Sequence, residues 1–400
     1  MQCGIRHVAE TYKHRSAGSQ AERNAQAYFA KELHTMADDV SVTPFSLHPK
    51  AFLGWMIPAG IFDLTAVSMY WLRGASDGLW IQIVGVACIC MSFLMDLFQF
   101  VLYRQFVDRL FPSAISRNVY ARRAPVGAVK RRIVFCGHAD AAHEMTFAYR
   151  FRKLLGPVLI LSSIGMLYAM AVNISVLILT LQSGPVPLTG IWHWLGIGML
   201  FFVPSFVGVL FFMNWHCVVD GANDNLSGCY VAMGVLKTLS DNHIRLQHTE
   251  VACLITGAEE AGLRGSLAFA RTQMTEQQKQ ETIFIALDTL REASQLMVYT
   301  RGQNGLVQNS KAVGKLLQEA ADVCGHPIPP AVFFLGATDA EGFSRYGLKA
   351  CGLCGVNHNP KPYYHTRMDN AENIDMDCVT LSLDICLQAL QRYDEHGLPE

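Results

Sequence analysis

Four long apolar segments constrain the fold of this 400-residue chain more than any other feature. Each is long enough to cross the hydrocarbon core of a bilayer, which takes about 20 residues of helix. Buried helices of soluble proteins normally keep a polar stripe, and these segments mostly lack one. We therefore predict four transmembrane helices, with two pairs of core helices in a soluble protein as the alternative. The segments are residues 51–72, 79–103, 154–182 and 191–213.

The four segments form two pairs, each joined by a short link, and so predict two hairpins inserted into the remaining chain. Arg73 is the only basic residue on the side of the links. Cytoplasmic flanks of membrane proteins carry an excess of lysine and arginine. We therefore expect a multi-pass protein of the cytoplasmic membrane, with the remaining chain and both termini in the cytoplasm. The flanking basic residues on the side of the remaining chain are Lys50, Arg104, Arg109, Arg150, Arg152 and Lys153.

The composition agrees with this interpretation and excludes one class of partner. Only 16% of the residues are charged and 51% are hydrophobic, against roughly 25% charged in an average soluble protein. A net charge of -1 without a basic stripe gives no reason to expect nucleic acid as a partner. Cys351 and Cys354 form a CxxC with His358 nearby, which allows a structural zinc or a redox pair, but the surrounding LKACGLCGV favours a buried strand.

Outside the hairpins, strand-like and helix-like stretches alternate, which predicts a parallel or mixed sheet covered by helices. The expected fold class is α/β, a mixed central sheet flanked by helices, with a four-helix transmembrane bundle formed by the two inserted hairpins. The candidate strands are 40–47, 132–137, 250–256, 282–287, 295–300, 331–335 and 349–356, and the candidate helices are 226–240, 260–272, 306–323 and 377–393. The predicted domains are 1–50 with 104–153 and 214–400 for the α/β part, 51–103 for the first hairpin and 154–213 for the second.

Five short segments place side chains of the metal-ligand type next to strand-like runs. Taken singly, each has an ordinary explanation, such as a turn residue, a cap or a solvated helix start. Their joint occurrence at strand ends carries more weight, because open α/β sheets place their sites at the carboxyl ends of strands. The segments are VFCGHAD with His138 and Asp140, DGANDNLSG with Asp220 and Asp224, LITGAEEAGLRGS with Glu259 and Glu260, FIALDTL with Asp288, and YYHTRMDN with His365 and Asp369.

In this order the segments resemble the signature of the zinc metallopeptidase family of bacterial leucyl aminopeptidases and glutamate carboxypeptidase. That signature runs GHxD, GAxDNxSG, EExGLxGS, a strand-ending aspartate and HTxxD, and all five are present here. The segments RSAGSQAERNAQAYFAKEL and SRNVYA also resemble the opening helix and an early strand of the family. The similarity covers most of the chain outside the hairpins and implies a zinc-exopeptidase-like fold.

The resemblance also implies a role for each site residue. His138 and Asp288 would hold one zinc ion, Glu260 and His365 a second, and Asp224 would bridge the two. Glu259 would be the general base that takes a proton from water and delivers it to the leaving amine, and Asp140 would orient His138. Two Zn²⁺ ions are therefore the expected cofactors, although cobalt or manganese can occupy such sites.

The implied function is a membrane-anchored di-zinc aminopeptidase that hydrolyses short peptides. One alternative is another amide reaction on the same scaffold, namely an N-acyl amino acid amidohydrolase or a glutaminyl cyclase-like enzyme. Cyclases of this fold resemble single-zinc sites, and the full ligand set argues against them. The other alternative is a catalytically inert membrane scaffold with a relic peptidase domain, in which ligands or the base would be expected to be lost.

The positions of the insertions suggest where substrate arrives. In the resembling fold, the strands around the first insertion lie beside the strand that ends at His138. We therefore expect both hairpins to leave from the rim of the active site, with membrane lipid as a partner and a peptide or acyl amino acid reaching the site from the membrane surface. Asp63 and Asp96 interrupt the apolar segments, and acids at membrane depth usually face a bundle interior, where they would form a hydrogen-bonding pair or a polar path.

Three further segments have predicted roles near the site. His143 and Glu144 follow the first ligand segment and would contact a substrate amine or form a plain surface loop. Residues 338–341 and 362–364 are expected to line the pocket.

Overall fold

The computed structural model describes residues 1–74, 78–272, 274–357 and 363–399, apart from the side chains of Glu276 and Lys279. The chain folds into two compact units, which we call the α/β unit and the helical unit. The α/β unit comprises residues 1–49, 112–144 and 215–400, and the helical unit comprises residues 50–111 and 145–214.

These boundaries differ from the predicted domains at Lys50, residues 104–111, residues 145–153 and Asn214, which the sequence assigned to the α/β part and which lie in the helical unit. Aromatic packing explains the difference. The ring of Phe111 lies against Gly54, and the ring of Phe147 packs 6.3 Å from Phe212. Each of these contacts ties a flanking segment to the apolar helices.

The α/β unit is built on a nine-stranded mixed sheet, in agreement with the predicted fold class. Its strands, numbered in chain order, are β1 Asp39–Leu47, β2 Ala114–Arg123, β3 Arg131–His138, β4 Thr249–Thr256, β5 Thr282–Asp288, β6 Met297–Gly302, β7 Val307–Gln308, β8 Pro330–Val332 and β9 Lys349–Cys354. Their order in space is β1-β2-β4-β3-β5-β9-β6-β8, with β7 on β6. A separate two-stranded sheet joins His143–Met145 to Met213–Val218.

Helices cover both faces of the sheet, and the side chains of its central strands alternate between the two layers. In β3, Ile133 and Phe135 belong to one core cluster, whereas Val134 and Cys136 belong to the other. The first cluster includes helices Gln2–Thr11, Gln20–Leu33, Gly228–Asp241, Lys311–Val323 and Met376–His396; the second includes Arg264–Thr272 and Asp339–Ser344. Central strands that are buried on both faces read as the continuous apolar runs seen in the sequence.

Several predicted elements are shorter in the structure than in the sequence pattern, and two of them have a clear structural reason. The candidate strand 331–335 is limited to β8, because Leu335 adopts a positive φ of 57° and so turns the chain away from the sheet. The candidate helix 306–323 begins at Lys311, because Ser310 caps it by accepting a hydrogen bond from the backbone N–H of Val313.

The parallel strands at the centre of the sheet determine where the predicted ligands lie. β3 pairs in parallel with β4 and with β5, and β5 pairs in parallel with β9. His138 lies opposite Thr256 at the end of β4, and Asp288 ends β5. The carboxyl ends of these strands therefore meet at one edge of the sheet, which is where sites of α/β proteins form.

Among its described residues, the helical unit contains four helices that are long and apolar enough to cross a membrane: Ala51–Leu72, Leu79–Val101, Arg152–Ser183 and Ile191–Leu210. They approach one another closely at glycines. A Cβ atom on Gly165 would lie 2.6 Å from the ring of Phe202, and one on Gly196 would lie 2.8 Å from the ring of Tyr70. Small residues at helix contacts are typical of membrane bundles. Asp63 is buried in this unit, with Ser92 of the next helix as a hydrogen-bonding neighbour.

Candidate metal centre

His138 is held at the end of β3 by the start of helix Gly228–Asp241. A Cβ atom on Gly137 would lie 2.6 Å from the backbone of Gly228 and Cys229, so only glycine permits this close approach. The thiol of Cys229 donates a hydrogen bond of 3.0 Å to the carbonyl oxygen of His138. The imidazole is consequently fixed and almost fully buried.

Asp224 lies in the turn Ala222–Ser227 that leads into the same helix, and its peptide bond to Asn225 is cis. The turn is held by Asp369, whose Oδ1 accepts hydrogen bonds of 2.7 and 2.8 Å from the backbone and side-chain nitrogens of Asn223. Its Oδ2 accepts one of 3.1 Å from the backbone N–H of Asp224. Asp369 therefore positions Asp224, a contact that the sequence did not reveal.

Glu259 and Glu260 follow β4, and Asp140 fixes them. Its two carboxylate oxygens accept hydrogen bonds of 3.1 Å each from the backbone N–H groups of Glu259 and Glu260. The distance from Asp140 Oδ1 to His138 Nδ1 is longer, at 3.5 Å, and Nδ1 lies 3.2 Å from the backbone oxygen of Asp140. Asp140 thus supports the glutamate segment at least as directly as the imidazole.

The two histidines converge on one carboxylate. His138 Nε2 lies 3.1 Å from Oδ1 of Asp224, and His365 Nε2 lies 3.1 Å from Oδ2 of the same residue. His365 Nε2 is also 3.3 Å from Oε1 of Glu260. The His365 ring is stacked on Tyr364, with ring centroids 4.1 Å apart and planes 17° apart. Asp224 therefore stands between the two imidazoles with one oxygen toward each.

All the predicted ligands and Glu259 fall into three overlapping groups. Within each group the potential ligand atoms lie within 4.8 Å of one another. The groups are His138 with Asp224 and Asp288, His138 with Glu259 and Glu260, and Asp224 with Glu260 and His365. The structure thus brings together side chains that are more than 200 residues apart in the chain.

The donor set fits a divalent cation. In the described part of the chain, the buried atoms His138 Nε2 and Glu260 Oε1 have no partner in good hydrogen-bond geometry, although carboxylate or imidazole atoms lie 3.1–3.3 Å away. Close approach without hydrogen bonding is expected of atoms arranged around a shared ion. Imidazole and carboxylate are both ligands that zinc accepts.

The pKa values of the carboxylates in the site also fit a bound divalent cation. Burial, together with the charge of Asp224, raises the pKa of Asp288 to about 7. Burial also raises the pKa of Glu260, and it raises that of Glu259 well above its ordinary value. Several carboxylates this close together cannot all ionise without a counter-charge, and a metal ion would supply it.

Arg15 is a further residue of the site that the sequence pattern did not single out. It is completely buried. Its Nε donates a hydrogen bond of 3.0 Å to the carbonyl of Ala139, and its Nη2 donates one of 2.7 Å to the carbonyl of Asp220. The only available signal was its place in the N-terminal segment RSAG that resembles the family.

His143 and Glu144, which the sequence placed in a surface loop or near a substrate amine, both have side-chain contacts in the structure. Glu144 is buried and accepts hydrogen bonds of 2.7 Å from both Nε and Nη2 of Arg367, so it is more than a surface loop residue. The ring of His143 packs 5.0 Å from Trp215.

The segment 338–341 does not line a pocket, contrary to expectation. Thr338 and Glu341 form the capping box of helix Asp339–Ser344, and both are fully buried. The Thr256 hydroxyl donates a hydrogen bond to Asp339. A buried cap and its partners leave no open surface for a substrate.

Cys351 and Cys354 are both buried free thiols in β9, as the strand interpretation predicts. His358 and Pro362, which the sequence placed near the cysteines and the pocket, lie outside the described residues. Tyr363 is buried, and its hydroxyl donates a hydrogen bond of 3.2 Å to Glu292.

Comparison with known proteins finds a peptidase family that matches part of the chain and solved structures that share its fold. Residues 207–390 match Peptidase family M28. No curated protein sequence matches the chain. An aminopeptidase from Aneurinibacillus sp. strain AM-1 superimposes with a TM-score of 0.56 at 14% identity, covering 98% of this chain and 93% of that one.

Two other solved structures share the fold. A zinc aminopeptidase from Bacillus subtilis gives a TM-score of 0.55 at 12% identity, covering 98% of this chain and 94% of that one. A glutaminyl cyclase from Bacteroides thetaiotaomicron, bound to N-acetylhistamine, gives 0.56 at 11% identity, covering 97% and 95%. The family match and the shared fold confirm the resemblance inferred from the five segments.

Proposed function

We propose that this metal-dependent hydrolase, whose residues 207–390 match Peptidase family M28, is a membrane-anchored di-zinc aminopeptidase that acts on short peptides. The observation that carries the proposal is the position of Asp224, which offers one carboxylate oxygen to the neighbourhood of each imidazole at 3.1 Å. A carboxylate placed in this way is suited to two metal ions, the arrangement found in two-metal hydrolases.

The three groups of ligand atoms support a division of labour. His138 and Asp288 share a group with Asp224 and would hold one ion. Glu260 and His365 share another group with Asp224 and would hold the second. Asp224 belongs to both groups, as a bridging ligand must.

Glu259 is the residue best placed to move protons. Its Oε2 lies 3.8 Å from His138 Nε2, and its backbone is fixed by Asp140. When bound, zinc supplies a Lewis acid for a carbonyl oxygen and lowers the pKa of a coordinated water to about 7. Burial raises the pKa of Glu259 well above its ordinary value, which suits a group that accepts a proton from water and returns it to a leaving amine.

The helical unit would anchor the enzyme in a membrane. Besides their length, the four helices carry large apolar side chains that are exposed in the structure, among them Ile61, Ile160, Leu181, Trp194 and Phe201. Exposed apolar surface of this kind marks a contact with lipid or with another protein. The flanking basic residues support a cytoplasmic location of the α/β unit. A tethered enzyme would meet substrates held at the membrane surface at raised effective concentration.

A second amide reaction has one observation in its favour, the shared fold of the glutaminyl cyclase. An N-acyl amino acid amidohydrolase would use the same residues. A relic scaffold is the remaining alternative, and the presence of Glu259 together with all five ligands argues against it.

The test is turnover of a substrate panel by detergent-purified protein, comparing wild type with Glu259→Gln. The panel holds aminoacyl amides, short peptides, N-acyl amino acids and a peptide that begins with glutamine. We expect hydrolysis of the free-amine substrates and a loss of about 100- to 10,000-fold in kcat for Glu259→Gln, the usual contribution of a positioned acid–base group.

Glu10→Gln is the matched control, since Glu10 is an exposed glutamate of the first helix. Its rates should equal those of wild type. Equal rates for Glu259→Gln and wild type would exclude the proposed mechanism, whereas cyclisation without hydrolysis would favour the alternative reaction.

A further inference from the structure

Arg15 has an unusual environment for an arginine. It lies between helices Gln2–Thr11 and Gln20–Leu33 and has no exposed surface. Arginine is almost never fully buried unless its charge is compensated. Burial lowers the pKa of the guanidinium, but the carboxylates of Asp220, Asp369 and Asp140 act in the opposite direction. The charge of Arg15 therefore has counter-charges around the candidate metal centre.

The hydrogen bonds of Arg15 join the two segments that carry His138 and Asp224. Ala139 is the residue after His138, and its carbonyl accepts a hydrogen bond of 3.0 Å from Nε. On the other segment, Nη2 donates to the carbonyls of Asp220 at 2.7 Å and Gly221 at 3.4 Å. The remaining contact, from Nη1 to the carbonyl of Tyr12, is 3.3 Å.

The backbone of Arg15 adds a further connection. Its carbonyl accepts a hydrogen bond of 2.9 Å from the N–H of Ala141. Both the side chain and the main chain of this one residue thus hold the loop after β3, and the side chain also holds the turn before Asp224. A planar guanidinium with several donors can span such a gap, whereas an ammonium group cannot.

We propose that Arg15 is a positioning residue of the metal centre, which sets the separation of His138 and Asp224 by tying together the carbonyl groups of their two loops. The inference rests on the proposed function, because it assumes that these side chains bind zinc. Arg15 does not touch the metal ligands' side chains or substrate in this role. It acts only through the backbone of the loops.

Arg123 provides a control of the same kind at the other end of the sheet. It is buried, and its guanidinium donates to the carbonyls of Ile244, Leu239 and Met36 at 3.1–3.4 Å. Arg123 pairs with Val251, which lies five residues before the end of β4 at Thr256. At about 3.3 Å per residue, Arg123 is therefore about 17 Å from the strand end next to the candidate ligands. Replacing Arg123 therefore removes a comparable set of hydrogen bonds far from the ligands.

The experiment compares Arg15→Met and Arg15→Lys with Arg123→Met and Arg123→Lys in the full-length protein in detergent. Zn²⁺ affinity is measured by competition with a chelator, and stability by unfolding of the metal-free protein. We expect both Arg15 variants to bind Zn²⁺ roughly tenfold more weakly, the lower end of the range for groups that orient metal ligands. The Arg123 variants should lose stability and keep wild-type Zn²⁺ affinity.

Unchanged Zn²⁺ affinity in Arg15→Lys, or an equal loss in Arg123→Lys, would overturn the role of Arg15 while leaving the proposed function intact. The lysine variants decide the question even if the methionine variants do not fold. A folded wild-type protein that binds no Zn²⁺ would overturn both this inference and the proposed function.

Discussion

At the scale of single residues, the acids around the site differ in what they do. Asp224 and Glu260 direct their carboxylates at imidazoles. Asp140 and Asp369 instead accept hydrogen bonds from backbone N–H groups of the segments that carry candidate ligands. Loss of a group that orients metal ligands typically lowers metal affinity by about 10- to 100-fold.

Asp140→Asn tests whether Asp140 supports the candidate metal centre by holding the backbone of Glu259 and Glu260. An amide in place of the carboxylate would set an NH₂ donor against the N–H of Glu259 or Glu260, so one of the two hydrogen bonds must be lost. We expect Zn²⁺ affinity to fall by about 10- to 100-fold, measured by chelator competition.

Asp38→Asn is the matched control, because Asp38 also accepts a backbone N–H, that of Ala124, and lies in the turn before β1. It should leave Zn²⁺ affinity unchanged. Wild-type affinity in Asp140→Asn would show that the position of the glutamate segment does not depend on this carboxylate.

At the scale of elements, the parallel strands position the candidate site, whereas the apolar helices form a separate unit. The pairing of β3, β4 and β5 brings His138, Asp288 and the segment with Glu259 and Glu260 to one edge of the sheet. The four helices of the other unit contact one another at glycines and leave large apolar side chains exposed. Prolines inside two of them, Pro157 and Pro204, are tolerated in membrane helices because neighbouring groups satisfy the freed backbone.

The helices predict membrane insertion with a defined orientation. We expect alkaline carbonate to leave the protein in the membrane fraction and detergent to release it. A cysteine introduced at Ser183, at the end of helix Arg152–Ser183, should react with a membrane-impermeant maleimide in intact cells. The exposed Cys3 should react only after permeabilisation.

Release by carbonate would contradict membrane insertion. Labelling of Cys3 in intact cells, with Ser183→Cys protected, would show the opposite orientation and place the α/β unit outside the cytoplasm. The wild-type chain serves as the labelling control, because it lacks a cysteine at position 183.

At the scale of the whole molecule, the sheet could be predicted from the sequence because it depends on local patterns, and the candidate ligands could be named because five short segments resemble a known family. Short continuous apolar runs predict strands that are buried on both faces, and candidate ligand side chains follow several of those runs directly. Parallel pairing then brings the strand ends with His138 and Asp288 to one edge of the sheet, whereas Asp224 and His365 lie on loops outside the strands.

The supporting contacts could not be read in this way. Arg15 donates hydrogen bonds to backbone carbonyls 124 and 205 residues away. Every residue has such a carbonyl, so the amino-acid sequence does not show which ones accept these hydrogen bonds. The capping box of Thr338 and Glu341 looked like a polar pocket segment because burial is not visible in a short motif. The unit boundaries in the structure differ from the predicted domain boundaries because rings such as Phe111 and Phe147 pack on the apolar segments.

The zinc content of the detergent-purified chain tests the central claim most directly. Elemental analysis of wild type and Asp224→Asn, with each protein shown to be folded, should give about two zinc ions per wild-type chain, as expected of a two-metal hydrolase. Asp224→Asn should hold less, because it removes the carboxylate shared by both groups of ligands. A folded wild-type protein that retains neither zinc nor another divalent metal after exposure to it would contradict the account.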